Sequence, residues 1–273
     1  MALLSLPLPS SNCFSSSFSS WRQSSVAVNT ALPIRLLPVA ASATTTHQQQ
    51  SIPIDKSSFI VAETASEDQL WAAACLRVRS FYDFQASSFG IQDHTRYLAE
   101  REFEALKERI AGKREGFKRV SCINATLPLS QLSNSADDLC AACKFNDNGE
   151  DRVVVGTLDL NQCLWLPEEI AGAKPQGFEA EFARAYLSNV CVARELHRNG
   201  LGYDIVTKSK KVAEEWGITD LYVHVAIDNE PAKNLYMKSG FIHENDEPAW
   251  QARFLERPRR LLLWIGLPCS NEL

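Results

Sequence analysis

From Tyr186 to Phe241 the chain sets out strand, glycine loop, helix, strand and capped helix with few residues to spare, and that order leaves few folds open. Tyr186 to Ala193 is a nearly continuous apolar run, as expected for a strand covered on both faces. His197-Arg198-Asn199-Gly200-Leu201-Gly202 follows as a glycine loop. Leu201, Ile205, Val212 and Trp216 then recur on one side of a helix that Gly217 ends. Leu221 to Ile227 alternates, with Leu221, Val223, Val225 and Ile227 on one side and Tyr222, His224 and Ala226 on the other. Asn229 caps a helix from Glu230 to Ser239, closed by Gly240.

Upstream, Phe59-Ile60-Val61-Ala62 suits a first strand. Ser66 and Gln69 form a capping box that opens a helix with Leu70, Ala73, Ala74 and Val78 inward. A second helix is expected from Thr95 to Ala111, with Leu98, Phe103, Leu106 and Ile110 on its apolar side. Phe117 to Ala125 reads as an additional strand, and the stretch from Leu127 to Asp138, with Pro128, as a loop. Leu139 to Phe145 and Arg152 to Leu160 are expected to pair as strands around Asn148-Gly149. Trp165 to Phe182 is irregular, and a final strand lies near Arg260 to Ile265. The sum is a mixed α/β sheet with helices packed on it.

The first acidic residue is Asp55, and no Lys precedes it. Arg22 and Arg35 are the only fixed charges in that serine-rich stretch. An acid-free, Ser/Thr-rich, weakly basic N-terminus reads as a plastid transit peptide over residues 1–54, disordered and cleaved between Ala40 and Ser51. A plain disordered tail is the alternative. Residues 55–273 then form one domain. Loss of those two arginines takes the net charge from −5 to −7. An acidic domain argues against nucleic acid as partner and favours amine substrates. No apolar run has the length of a membrane span.

Eight cysteines include one CxxC, Cys140 and Cys143, with no second pair or histidine pair at zinc spacing. Buried free thiols on a strand are the expectation, a regulatory disulfide the alternative, and no metal is called for.

The glycine loop carries one kind of chemistry. Glycines clear the approach of a pyrophosphate to the backbone and permit positive φ. The N–H groups of residues 198–203 and the helix N-terminus favour an anion, and Arg198 adds a cation. An ordinary strand–helix turn is the other reading of the loop taken alone. The second stretch is more specific. Asn229, Ala232, Leu235, Tyr236, Gly240 and Phe241 fall into N-x-x-A-x-x-L-Y-x-x-x-G-F.

Taken together these residues resemble the GNAT superfamily of N-acetyltransferases, plant plastid members included. Gly200 and Gly202 match the two glycines of the family's Q/R-x-x-G-x-G/A loop, with His197 standing where Gln or Arg is usual. The resemblance covers roughly Leu139 to Gly266 well and Phe59 to Ala111 only by element order. It implies a mostly antiparallel sheet that splays where acetyl-CoA binds, and acetyl-CoA as co-substrate.

By the same resemblance the backbone of Val190, Cys191 and Val192 meets the pantetheine arm. Arg198, Asn199, Gly200, Leu201, Gly202 and Tyr203 hold the phosphates, and Asn229, Glu230 and Pro231 border the cofactor; a pure N-cap is the other role for Asn229. Tyr236 is implied as the proton donor to the departing thiolate, with a structural tyrosine as the alternative. Many members carry Glu five residues before the capping Asn. This chain has His224, read either as the base that takes the amine proton or as a histidine packed on the sheet. The implied reaction is direct acetyl transfer to protein N-termini and lysine side chains. The loop from Trp165 to Phe182, with Glu168, Glu169 and Glu179, would line the amine entrance, a solvated loop being the alternative. Transfer to a small amine, or acyl-CoA binding without catalysis, are the competing functions.

Overall fold

The computed structural model describes residues 54–82, 84, 90–113, 116–132, 136–163 and 183–268. Residues 1–53, nearly all of the expected transit segment, and the whole Trp165 to Phe182 loop, Glu168, Glu169 and Glu179 included, lie outside them. The described strands form one eight-stranded sheet, seven of them in the order β1-β2-β4-β5-β6-β8-β7, with β3 also on β4. The strands are β1 Ile60–Glu63, β2 Phe117–Pro128, β3 Lys144–Asp147, β4 Glu150–Cys163, β5 Arg184–Val192, β6 Asp220–Ala226, β7 Ile242–Asp246 and β8 Arg260–Gly266. Only β5 and β6 run parallel; every other pairing is antiparallel.

Helices α1 Glu67–Phe81, α2 Ile91–Ile110 and α4 Leu201–Glu215 cover the sheet, with α3 Asp137–Cys143, α5 Glu230–Lys238 and α6 Ala249–Phe254 at its margins. Neighbouring residues of β4 assign the faces. A side chain at Gly156 would collide with Ile205 of α4, 2.4 Å away. Thr157 and Asp159 bond Arg77 of α1 instead. Because successive strand residues point to opposite faces, α1 and α4 sandwich β4. Twelve consecutive residues of β4 are buried, polar Thr157, Asp159, Asn161 and Gln162 among them.

Several local expectations shift. Cys140 and Cys143 lie in helix α3, not on a strand, and β3 begins only at Lys144. Asp137 and Asp138 occupy the first turn of that helix, where acids are favourable. β2 runs on to Pro128, well beyond Ala125, because it pairs β4 as far as Arg152. Among the described residues, the expected loop after Leu127 thus holds a 3-10 turn, Leu129–Gln131, and the start of α3. α2 starts four residues before Thr95, and Ile110, expected inward, is exposed. The Ser66 box closes one residue early. The Ser66 hydroxyl accepts from the Gln69 N–H, while the Gln69 side chain accepts from Ala65 N–H, not that of Ser66.

Candidate active site

The sheet opens at one place. β5 and β6 pair at four positions, from Arg184↔Asp220 to Leu187↔Val223. Beyond them β5 continues on β4 and β6 on β8, and the two strands no longer pair with each other. Just past Leu187 the β4–β5 register slips. Thr157 faces Cys191 and Asp159 faces Ser188, so β5 holds one extra residue there. Within it Asn189 takes φ 55°, a left-handed conformation. This is a β-bulge, and bulges bend and twist the strand that carries them. The resulting gap is bordered by Ser188–Val192 on one side and His224–Ala226 on the other.

Val190, Cys191 and Val192 therefore edge the gap. The Cys191 side chain is buried among the core residues, and burial pushes its thiol up to about 12. The other described cysteines are also free thiols; burial likewise raises Cys140 and Cys143, which leaves both poor nucleophiles.

Tyr236 projects from α5 into the core, nearly fully buried, with its ring edge-on to Phe241 at 5.7 Å. Burial pushes its phenol well above the ordinary value, and the nearby Tyr186 and Cys191 add to the rise. Tyr186 was not singled out by the sequence. It opens the apolar run of β5 and reads there as one more core aromatic. In the fold its hydroxyl lies 3.0 Å from Nδ1 of His224, with ring centroids 5.7 Å apart. The pairing of Tyr186 with Tyr222 puts Tyr186, Tyr222 and His224 on one face of the sheet. Tyr186 and His224 thus bond across two diverging strands, and Tyr236 of α5 stands within electrostatic reach of Tyr186.

The glycine loop is built as an N-terminal cradle. Gly200 sits at φ 81° as the N-cap of α4, a conformation that costs any side-chain residue. Arg198, exposed, is also left-handed at φ 68°. The first i→i−4 bond runs from Asp204 N–H to Gly200, so the N–H groups of Leu201, Gly202 and Tyr203 have no acceptor within the helix. Gly202 also serves the packing of the helices. A side chain there would come within 3.1 Å of Leu235, so this glycine lets α5 pack against α4. Asn199 donates to the Leu196 carbonyl. His197, standing where Gln or Arg is usual, bonds the Val192 carbonyl through Nε2 at 3.1 Å and ties loop to strand.

A cation enters from outside the motif. Lys56, in the 3-10 turn before β1, bonds Asp204 of α4 at 3.0 Å. Its Nζ stands 3.3 Å from where a Gly200 side chain would begin. Nothing local in the sequence links a lysine so far upstream to this loop.

At the head of α5, the Asn229 side chain accepts from Ala232 N–H, a plain N-cap. Glu230 pairs with Lys233, and Pro231 occupies the first turn, exposed. Among the described residues no cluster of His, Cys, Asp or Glu is placed to hold a metal ion.

The residues present fit acetyl-CoA: a glycine N-cap with three N–H groups that have no helical acceptor, two nearby cations, and a gap between strands that no longer pair with each other. The chain is similar to several known proteins. Residues 129–241 match the family described as Acetyltransferase (GNAT) family. The chain is 69% identical over 239 residues to GCN5-related N-acetyltransferase 7, chloroplastic, of Arabidopsis thaliana, covering 88% of this chain and 86% of that one. It is 29% identical over 191 residues to GCN5-related N-acetyltransferase 6, chloroplastic, of the same plant, covering 67% and 61%. Among solved structures, the ribosomal-protein-S18-alanine N-acetyltransferase of Escherichia coli aligns with a TM-score of 0.44 at 14% identity, over 79% of this chain and 98% of that one.

Proposed function

The chain belongs to the GNAT acetyltransferase family, and on that premise we propose that it is a chloroplast protein N-acetyltransferase, acting on N-terminal α-amines and lysine ε-amines. Residues 1–54 serve as its transit peptide. The observation that carries the catalytic reading is the Tyr186–His224 bond where β5 and β6 part, with Tyr236 within electrostatic reach of Tyr186.

Acetyl-CoA supplies the acetyl group and a thiolate leaving group; the residues supply position and proton handling. The amine must attack in its neutral form, which at pH 7 is about one α-amine in ten and less than one lysine in a thousand. The Tyr186–His224 couple can take up that proton. With the phenol donating to Nδ1, a proton accepted at the phenol oxygen passes on to the imidazole, and the charge rests there.

Tyr236 faces the other end of the reaction. Its burial changes what it can do. A phenol of ordinary acidity is no stronger an acid than an alkyl thiol and does not give its proton outright to the thiolate, and burial weakens it further. Its role is a hydrogen bond to the sulfur as charge develops, while the amine's proton reaches the thiol by way of His224 and solvent.

A polypeptide acceptor is supported by the surface at the open end. Arg260 pairs Ala226, the last residue of β6, so the β7–β8 connection leaves the sheet beside the gap. That connection carries α6, with Trp250 and Phe254 one turn apart and 70% and 81% exposed. Aromatic side chains that exposed suit peptide contact.

The deciding experiment incubates the purified chain with acetyl-CoA and a peptide library, read by mass spectrometry. Acetylated α- and ε-amines are expected. Acetylation of polyamines or amino acids alone would replace this reading by the small-amine one, and binding without transfer by the non-catalytic one.

A further inference from the structure

We propose that Asp159 is a positioning residue of the transfer site, holding through Asn189 the left-handed kink in β5 from which the gap opens. The inference rests on the acetyl-CoA site just described. Asp159 is wholly buried in the middle of β4. Its Oδ1 accepts from Arg77 Nη2 at 2.6 Å. Its Oδ2 accepts from Arg77 Nη1 at 3.1 Å, from Arg109 Nη2 at 3.0 Å and from Asn189 Nδ2 at 2.8 Å. Glu102 closes the set, 2.9 Å from Arg77 and 3.6 Å from Arg109. Two buried anions, one buried cation and the part-buried Arg109 thus join α1, α2, β4 and β5.

Stability alone is a weak reason for such a cluster, since well-packed apolar residues commonly do as well. What apolar packing lacks is direction. Asn189 sits at φ 55°, where a non-glycine residue is disfavoured by roughly 1–2 kcal/mol. Its amide donates to a carboxylate that Arg77 and Arg109 hold on two sides. The register slip spans Ser188 to Cys191, and the last β5–β6 pair is Leu187↔Val223. The fixed carboxylate therefore sets where β5 bends and how the backbone of Asn189 and Val190 faces the gap. Because Arg109 belongs to α2 and Arg77 to α1, the same carboxylate ties the bend to both helices.

Three variants of the full chain test this. Asn189→Gly keeps the left-handed backbone and loses the amide; Asn189→Ala loses both; Asp159→Asn keeps the shape and loses the charge. Acetyl-CoA affinity, kcat and KM, thermal melting and hydrogen exchange at residues 188–192 are measured together. Asn189→Gly is expected to melt within a few degrees of wild type, to exchange faster at 188–192, and to lose about ten- to a hundredfold in kcat/KM for acetyl-CoA. Asn189→Ala should do worse on every count.

Wild-type exchange and wild-type kcat/KM in both Asn189 variants would overturn the proposal, leaving the cluster a purely structural one. Should Asp159→Asn fail to fold, the Asn189 pair decides alone. If the wild-type protein bound no acetyl-CoA, the functional reading would fall, while exchange in the variants would still decide whether Asp159 holds the bend.

Discussion

Replacing Tyr236 by phenylalanine removes one oxygen and leaves the packing in place. The ring that meets Phe241 edge-on at 5.7 Å stays, so the fold should lose no more than about 1 kcal/mol. The cost falls on the reaction. The phenol is raised by burial and keeps its proton across the physiological range, so it meets the departing sulfur as a donor. A hydrogen bond to a charged partner contributes about 1.5–3 kcal/mol, which is roughly a 10- to 150-fold loss of rate. That charge exists only as the thioester breaks, so kcat should fall while KM for acetyl-CoA holds. Rapid-quench single turnovers with saturating peptide and acetyl-CoA isolate the chemical step. A single-turnover rate within twofold of wild type, in a variant that melts normally, would refute the role given to Tyr236. Tyr236→Ala is a poor substitute, because an emptied aromatic site costs about 3–5 kcal/mol and blurs the comparison.

Tyr186→Phe breaks the 3.0 Å bond to His224; it and His224→Ala should each flatten the acid limb of the pH–rate profile, and the double variant should cost little more than either alone. Independent, additive losses would separate the two residues. Lys56→Ala should raise KM for acetyl-CoA severalfold with kcat kept and weaken its salt dependence; an unchanged KM at low ionic strength would remove Lys56 from the site. Gly202→Ala, with 3.1 Å to Leu235, should destabilise by about 1–3 kcal/mol in denaturant titration. Asp159 sets a pH dependence. Burial pushes its carboxyl up, but Arg77 and Arg109 outweigh that and hold it below the ordinary range. Its contribution is therefore present above about pH 4 and lost as pH falls through the lowered value. Asp159→Asn should be less stable at pH 7 and should lose less on acidification; a parallel pair of acid-melting curves would contradict this.

The strand–loop–helix–strand–helix order from Tyr186 to Phe241 was legible because each signal is local. An apolar run, a glycine, an alternation and an Asn cap each declare themselves within a dozen residues, and β5, α4, β6 and α5 lie within a residue or two of where those signals put them. Local reading failed where a second layer decided. Leu139 to Cys143 is apolar enough for a strand, yet it packs as a short helix against α1. β7 and α6 carry too little pattern to be seen. Glu102 and Asp159 carry no local signal, because Arg77, which pairs with both, lies 25 and 82 residues away in the chain.

By itself the sequence determined the family-type loop, the caps, the expected donor Tyr236 and the candidate base His224, all properties of short runs of residues. Only the tertiary structure decided that Tyr186 bonds His224, that His197 ties the loop back to Val192, that Lys56 stands at Gly200, and that the sheet opens at Asn189. Each depends on which distant strands and helices become neighbours, and pairing register and buried charge are settled by the whole core at once.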